Sequence, residues 1–566
     1  MKRRTMFVLL VLMLSVSTLL SACTSSTTPE ANKPTETQKP NNETKTDPPT
    51  ETAAKQEFRF NIGTEPPSLD PGLAQDVTSS TILSATFEGL TSTDQNSKVI
   101  PGVAEKWDIS PDGKKYTFTL RQNAKWSNGD PVTAHDFEYA WKRVLDPNLP
   151  QTSPYNYQLY YIKNGEAYFT KKITDPNQIG VKATGDYTLE VELENPTPYF
   201  LDLTAFATYF PIHKSAKDNP AWANEANTLI SNGPLKVSSW AHSSQLELVP
   251  NEHYHKRDEI KLTKVTAVMI EDTNAILNMY ETNALDYIGP PTNGGIPSEQ
   301  IPILQQTKKD EIAIKPLAAS YYYLFNNKQK PFDNKKVRKA LALAINRQLI
   351  TEKITLSGQQ PAFGIVPPGI NIVNDEYRNQ VDGNYFKEDI AEAQKLLAEG
   401  LKESGLDKVP AFTLIYNTND LHKKVAQAVA DMWKQNLNID VKLQNIEWTV
   451  FLDQRSALDY SVARAGWNPD YNDPMTFLDL YTTGSGNNDI GFSNKKYDDL
   501  VKAAKKEVDL VKRRDLLASA EKILIEEEMA ILPIYYNATA QLLKPNIKNV
   551  YVDPLANFHF ARGYVE

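Results

Sequence analysis

Alternation of apolar and polar positions marks half-buried strands along much of the chain. Phe58-Arg-Phe-Asn-Ile62 alternates, Tyr116, Phe118 and Leu120 face one way while Thr117, Thr119 and Arg121 face the other, and Tyr187–Leu193 repeats the pattern before Pro196-Thr-Pro198 closes it. Asn232–Trp240 and Leu246–Asn251 read as a hairpin, and Ile531–Tyr536 as a return strand. Helical spacing follows elsewhere. Thr78–Phe87 runs helically into Glu88-Gly-Leu90, and Asp333 or Asn334 can cap a helix in which Val337, Ala340, Leu341, Ala344 and Ile345 share one face. Leu421–Leu437 places Val425, Val429, Met432 and Trp433 on a packed face, and a strand over Ile439–Leu443 follows at once. Glu447-Trp448 and Phe451–Arg455 lead into an extended approach, Tyr460–Arg464, and Asn494–Asp515 and Asp515–Glu528 read as helices. Helix alternating with strand predicts α/β layers.

The first residues follow a different rule. Lys2, Arg3 and Arg4 precede a largely apolar run over Met6–Leu20, shorter than the roughly 20 residues that span a bilayer, so it reads as a signal. Leu20-Ser-Ala-Cys23 comes next, and Cys23 is the only cysteine. This resembles a lipoprotein signal, which implies a diacylglycerol on the Cys23 thiol and a mature chain that starts there. Residues 24–57 hold many Thr, Ser, Pro, Asn, Lys and Glu but no aromatic residue and no aliphatic one larger than alanine, so they read as a solvated tether. With one cysteine no internal disulfide can form, and stability must come from burial.

The length, 566 residues, exceeds what one hydrophobic core supports, so several lobes are expected. The formal net charge of −9 becomes −12 when the three leader cations are cleaved, which speaks against nucleic acid as a partner. His253-Tyr-His255 offers two imidazoles at i and i+2 that could hold a metal from a strand. Lys256, Arg257 and Asp258 beside them favour a solvated turn instead.

Arg464-Ala-Gly-Trp-Asn-Pro-Asp-Tyr-Asn-Asp-Pro474 sets one carboxylate, Asp470, among aromatic rings, glycine and proline. Desolvating an unpaired charge costs several kcal/mol, so in a partly dry cleft Asp470 needs a cation or strong donors. Asn-Pro and Asn-Asp-Pro are also common loop punctuation, and the motif alone leaves an ordinary turn open.

Pro101-Gly-Val-Ala-Glu-Lys-Trp107, Ser110-Pro-Asp-Gly113, Tyr116–Arg121, Lys125-Trp-Ser-Asn-Gly-Asp-Pro131 and Ala134-His-Asp-Phe137 together resemble the signature of the family 5 extracellular solute-binding proteins. Ser68-Leu-Asp-Pro-Gly-Leu-Ala-Gln-Asp-Val77 is similar to the family's opening segment, and the stretch around Asp470 to the ligand-clamping loop of its oligopeptide-binding members, the solute receptors of peptide ABC importers. The likeness runs from about Phe58 to the C-terminus. Within the signature, Trp107 and Trp126 read as core.

The resemblance implies an α/β, two-lobed periplasmic-binding-protein-like fold of type II with a hinge and an extra inserted domain. Lobe I would combine residues 58–90, 215–319 and 537–566, domain II would be 91–214 and lobe III 320–536, behind a signal at 1–22 and a tether at 23–57. Asp470 would hold a peptide's α-ammonium. The strand through Arg464, Gly466, Trp467 and Asn468 and the segment from Gln75 to Val77 would pair with its backbone, as in strand addition. Trp448 and Trp467 would line side-chain pockets, Tyr155 or Tyr157 would lie against the peptide, and His422 and Arg464 would stand near its C-terminus or serve as structural hydrogen-bonding partners. Pro469 lacks an N–H, so relatives that use that donor would bind differently.

The expected partners are an oligopeptide, the permease subunits with their cytoplasmic ATPases, and the membrane through a lipid at Cys23. A monomer is expected, without cofactor or metal. Two rivals stand beside this reading. A tethered glycosidase or peptidase could draw on two acids, but H-E-x-x-H, G-x-S-x-G and a P-loop are all missing. The same fold could instead carry a dipeptide, a cell-wall peptide, a peptide pheromone, or a nickel or haem complex.

Overall fold

The computed structural model describes residues 55–289 and 295–566. The signal, Cys23 and nearly all of the tether lie outside the described residues. An 11-stranded sheet forms the frame. Its path runs Val441–Ile446, Phe412–Asn417, Val462–Trp467, Ile312–Phe325, Ile531–Leu543, Tyr287–Ile288, Glu57–Asn61, Lys264–Val268, Gln245–Pro250 and Leu235–Ala241, with Gln360–Pro361 off the path against Ile531–Leu543. A separate four-stranded antiparallel sheet is built from Ala104–Ile109, Lys115–Leu120, Thr188–Glu192 and Val181–Gly185.

Two long strands carry the large sheet through the middle of the molecule. Ile312–Phe325 and Ile531–Leu543 pair antiparallel along their length, but between Pro316 and Ser320 the register slips. Leu317, Ala318 and Ala319 there oppose the single residue Asn537. Such a bulge bends a ribbon and raises its twist. Ser320 and Ala318 are tied across it, the Ser320 hydroxyl donating to the Ile365 carbonyl at 2.6 Å and the Ala318 N–H to Pro554 at 3.1 Å. The lobe boundaries expected at 319/320 and 536/537 fall inside these two strands.

Packing follows the apolar pattern. Phe58 and Phe60 are fully buried and meet Phe558 and Phe560 of the C-terminal tail, with ring centroids 5.0–6.4 Å apart. Tyr116, Phe118 and Leu120 are buried on one face of their strand. Burying each large side chain contributes about 1.5–3 kcal/mol, which is how the described body holds together without a cross-link. Trp126 is fully buried, whereas Trp107 is only partly covered.

Caps set the helix ends. Asn334 starts Lys335–Leu343 by accepting from the Lys336 N–H at 2.8 Å. Asn419 accepts from Leu421 and His422 to start Asp420–Leu437, and Asn438 ends it in the left-handed conformation. Trp448–Ser456, which leads into the extended approach, is a helix. Two expectations need correction. Asn494–Asp515 is broken, because Asp509 caps a new helix, Leu510–Lys522, after Lys495–Ala504 has ended. His255 is no solvated residue: it meets Glu88 at 2.6 Å in the interior, where Tyr254 also donates to Glu88 at 2.6 Å. Among the described residues no group of three or more His, Cys, Asp or Glu could hold a metal ion, and no helix is long and apolar enough to cross a membrane.

One buried ion pair fastens the loop after Trp467 to the helix Leu510–Lys522. Arg513 donates to both oxygens of Asp473, at 2.7 and 2.8 Å. Removing one partner strands the other charge. Asp473→Ala is therefore expected to cost about 3–5 kcal/mol in urea unfolding; a loss below about 1 kcal/mol would show that the pair does not fasten the loop.

Candidate ligand-binding cleft

The strand Val462–Trp467 delivers the central loop. It pairs with Ile312–Phe325 from Val462↔Phe325 to Trp467↔Ser320, but its pairing with Phe412–Asn417 stops at Ala463. Along Arg464–Trp467 the strand thus has a sheet partner on one edge only. A Cβ on Gly466 would come within 3.1 Å of the Ser320 carbonyl and 3.3 Å of the Arg464 guanidinium, so glycine lets that side chain lie close across the strand. Pro469, without an N–H, cannot continue a ladder. Thr476 then braces the turn, its hydroxyl accepting from the Asp470 N–H at 3.1 Å and the Trp467 indole at 3.3 Å.

Beside this strand lies a cavity of about 350 Å³. Its walls include Gln75, Val77, Tyr155, His422, Trp448, Arg464, Gly466, Trp467, Asn468 and Asp470. Of the residues singled out from the sequence, Tyr157 alone is not on that wall. It is buried behind Tyr155, 6.0 Å away ring to ring, and its hydroxyl accepts from Asn487 at 3.3 Å.

Asp470 is partly buried, and its side chain is held by neutral groups. Gln158 donates to one oxygen at 2.8 Å and the Tyr155 hydroxyl to the other at 3.4 Å. Burial, and next the charge of Asp479, push its carboxyl well above the ordinary aspartate range. Asp479 is itself raised to about 6 by burial, with Lys505 at 3.5 Å as its cation. Behind the wall Tyr471 stacks on Tyr199, 4.9 Å between centroids and 8° between planes, both rings buried. Among the described residues Asp470 has no salt bridge, although its near neighbours Asp473 and Asp479 both do.

A second corner is cationic. The Arg464 guanidinium lies 4.8 Å over the Tyr321 ring, and the His422 ring is 5.5 Å from the same ring. Burial, then the Arg464 charge, lower the His422 pKa well below its usual value, so this imidazole is neutral at pH 7. Among the described residues His422 Nδ1, Arg464 Nε and the Tyr321 hydroxyl are buried and make no well-formed hydrogen bond. Each can still serve an incoming polar group.

Three further residues of the site, two on the cavity wall and one behind it, carried no sequence signal of their own. Gln158 sits in the tyrosine-rich Ser153–Tyr161 stretch, and Tyr321 in the run of three tyrosines after Ser320. Asp76, inside the Gln75–Val77 segment, is the cap of the helix Val77–Thr86. It caps Val77–Thr86 by accepting from the Ser79 N–H at 3.0 Å, and the Trp448 indole reaches it at 3.4 Å. The periodicity of a capping residue gives no hint that its carboxylate also faces a cavity.

The sequence model for bacterial extracellular solute-binding proteins, family 5 Middle, matches residues 98–489. Over 517 residues the chain is 44% identical to the oligopeptide-binding protein OppA of Bacillus subtilis (strain 168), covering 90% of this chain and 93% of that one. Haemophilus influenzae OppA in complex with RPPGFSPFR superposes with a TM-score of 0.82 at 34% identity, over 90% of this chain and 99% of that one. The Escherichia coli murein tripeptide binding protein MppA gives 0.83 at 34% identity, over 91% and 99%. The unliganded open form of MppA gives only 0.60, although identity is 35% and coverage 91% and 98%. Sequence and coverage are matched in that pair, so the lower score reflects a different setting of the lobes. The fold is thus two-lobed α/β, with the lobes set as in the peptide complex.

A carboxyl whose pKa is raised in the folded state holds its proton more tightly there than in the unfolded chain. It lowers stability above its folded-state pKa, and the cost fades to nothing as pH falls to the ordinary carboxyl range. Asp470→Asn is accordingly expected to stabilise the ligand-free protein at pH 7 by about 1–3 kcal/mol, with no gain below about pH 4. Urea unfolding at both pH values checks this; a destabilised variant at pH 7 would contradict it.

Proposed function

The chain belongs to family 5 of the bacterial extracellular solute-binding proteins, and we propose that it captures oligopeptides outside the cytoplasm and delivers them to an ABC permease. The observation that carries this reading is Asp470, a cavity-wall carboxylate held by neutral groups. A peptide supplies what it lacks, a compact α-ammonium, and charge-assisted bonds of that kind are about twice as strong as neutral ones. The free edge along Arg464–Trp467 and the Gln75–Val77 segment pair with the peptide backbone, which every sequence possesses. Trp448 and Trp467 shape side-chain pockets in which water bridges varied groups. Arg464 and His422 meet the peptide's carboxylate end. The chain binds its cargo and does not cut it.

Contacts from both sides select the closed arrangement. Asp470 comes from one side of the cleft, while Gln158 and Tyr155 approach it from the region of the small sheet. Binding makes these groups converge on one ligand end, and the bulged strand pair at Leu317–Ala319 is where the frame bends. The resulting closed surface is what the permease reads. A lipid on Cys23 keeps the protein at the outer face of the cell membrane, with residues 24–57 as a leash.

Calorimetry with a free-amine tripeptide and its N-acetylated counterpart tests the central contact. Acetylation removes the charge, and affinity is expected to fall about tenfold or more. Asp470→Ala is expected to lose the free-amine peptide to a similar extent. Equal affinities for free and blocked peptides would refute the ammonium assignment. For the anchor, Cys23→Ser is expected to move the protein from the membrane fraction to the medium or periplasm; unchanged membrane retention would refute it.

A further inference from the structure

The cavity wall carries more carboxylates without a salt bridge among the described residues than one ammonium can serve. Its cations are largely taken: Arg455 is paired with Asp489 at 2.6 Å and Lys424 with Glu299 at 2.6 Å. The Arg464 guanidinium belongs to the corner with His422 and Tyr321, where unpartnered buried donors await an anionic group. Two further carboxylates on the wall, Asp76 and Asp420, have no salt bridge among the described residues. Asp420 is partly exposed and takes the Thr273 hydroxyl at 2.8 Å, so water and a neutral donor serve it. Asp76 is only 7% exposed.

The partners of Asp76 are all neutral. Ser79 donates through its N–H at 3.0 Å and its hydroxyl at 2.6 Å, and Trp448 through its indole at 3.4 Å. Burial outweighs these bonds and raises the carboxyl above its ordinary pKa. Capping does not require a charge, since asparagine and serine start helices as well as aspartate does. Asp76 lines the same cavity as Asp470 and as Tyr155, whose hydroxyl meets Asp470 at 3.4 Å. Trp448 adds an aromatic ring to the same wall, a surface that attracts cations.

We propose that Asp76 makes the cleft selective for peptides with a basic side chain, lysine, arginine or ornithine, in one of their first residues. The α-ammonium rests on Asp470 and the side-chain cation on Asp76 beside Trp448. This rests on the peptide-binding reading and narrows it to a ligand class.

The test is calorimetry on the full-length protein with trialanine and with tripeptides carrying lysine or norleucine at position 1, 2 or 3. Norleucine keeps the length and apolar stem of lysine and removes the charge. In the wild type, lysine at position 1 or 2 is expected to bind about tenfold or more tightly than norleucine at the same place. In Asp76→Asn, which retains the cap, that lysine-to-norleucine ratio is expected to fall to within about twofold. Asp76→Ser, a second capping variant, is expected to behave alike. A wild type without preference, or a preference that survives in both variants, overturns the proposal while leaving the peptide reading intact. Failure of every tripeptide, trialanine included, to bind the wild type would overturn both.

Discussion

A carboxylate that no cation among the described residues neutralises is the constraint on which the rest depends. Asp470 sits at the end of a sheet strand, braced by Thr476 below and met by Tyr155 and Gln158 from across the cleft. Neutral donors soften the desolvation of such a group but do not cancel it. The surrounding structure must therefore be rigid enough to hold a charge in an unfavourable place. Asp473 and Arg513 supply part of that rigidity, and the stacked pair of Tyr471 and Tyr199 another part. On the proposed reading, stability given up at this side chain becomes affinity when a cation arrives.

The frame serves the same end. One sheet passes through both lobes, joined by the two long strands, and its register slips where Leu317, Ala318 and Ala319 oppose Asn537. Leu317 and Asn537 also line the cavity. The bend in the frame and the ligand's surroundings are therefore the same place, so a ligand that fills the cavity bears directly on the setting of the lobes. The lobes are set as in a peptide complex of a relative and unlike an unliganded open form. Conformational selection needs only that the ligand touch both walls of the closed form.

Much of this could be read in the sequence because burial leaves a periodic trace. The strand of Phe58 and Phe60, the face of Tyr116, Phe118 and Leu120, and the helix capped by Asn334 all follow from spacing alone. Breaks set by single polar residues were harder. The helix read through to Asp515 stops at Ala504, and Asp509 caps a new one. The cleft residues divide in the same way. Asp470 stands out because a charge among aromatic rings is anomalous. Asp76, Gln158 and Tyr321 do not, since a cap, a glutamine among tyrosines and a tyrosine in a strand each have an ordinary structural role. Tyr155 and Tyr157 could not be separated by pattern, because one turn of 3-10 helix decides which ring meets the cavity.

The central claim is that the ligand's positive amino end rests on Asp470. The most direct measurement is a crystal structure of the protein with a free-amine tripeptide in the cleft. The expected result is an ammonium nitrogen about 2.7–2.9 Å from an Asp470 oxygen, with the backbone laid along Arg464–Trp467. A peptide bound with its amino end elsewhere and Asp470 still held by Gln158 and Tyr155 alone would contradict it.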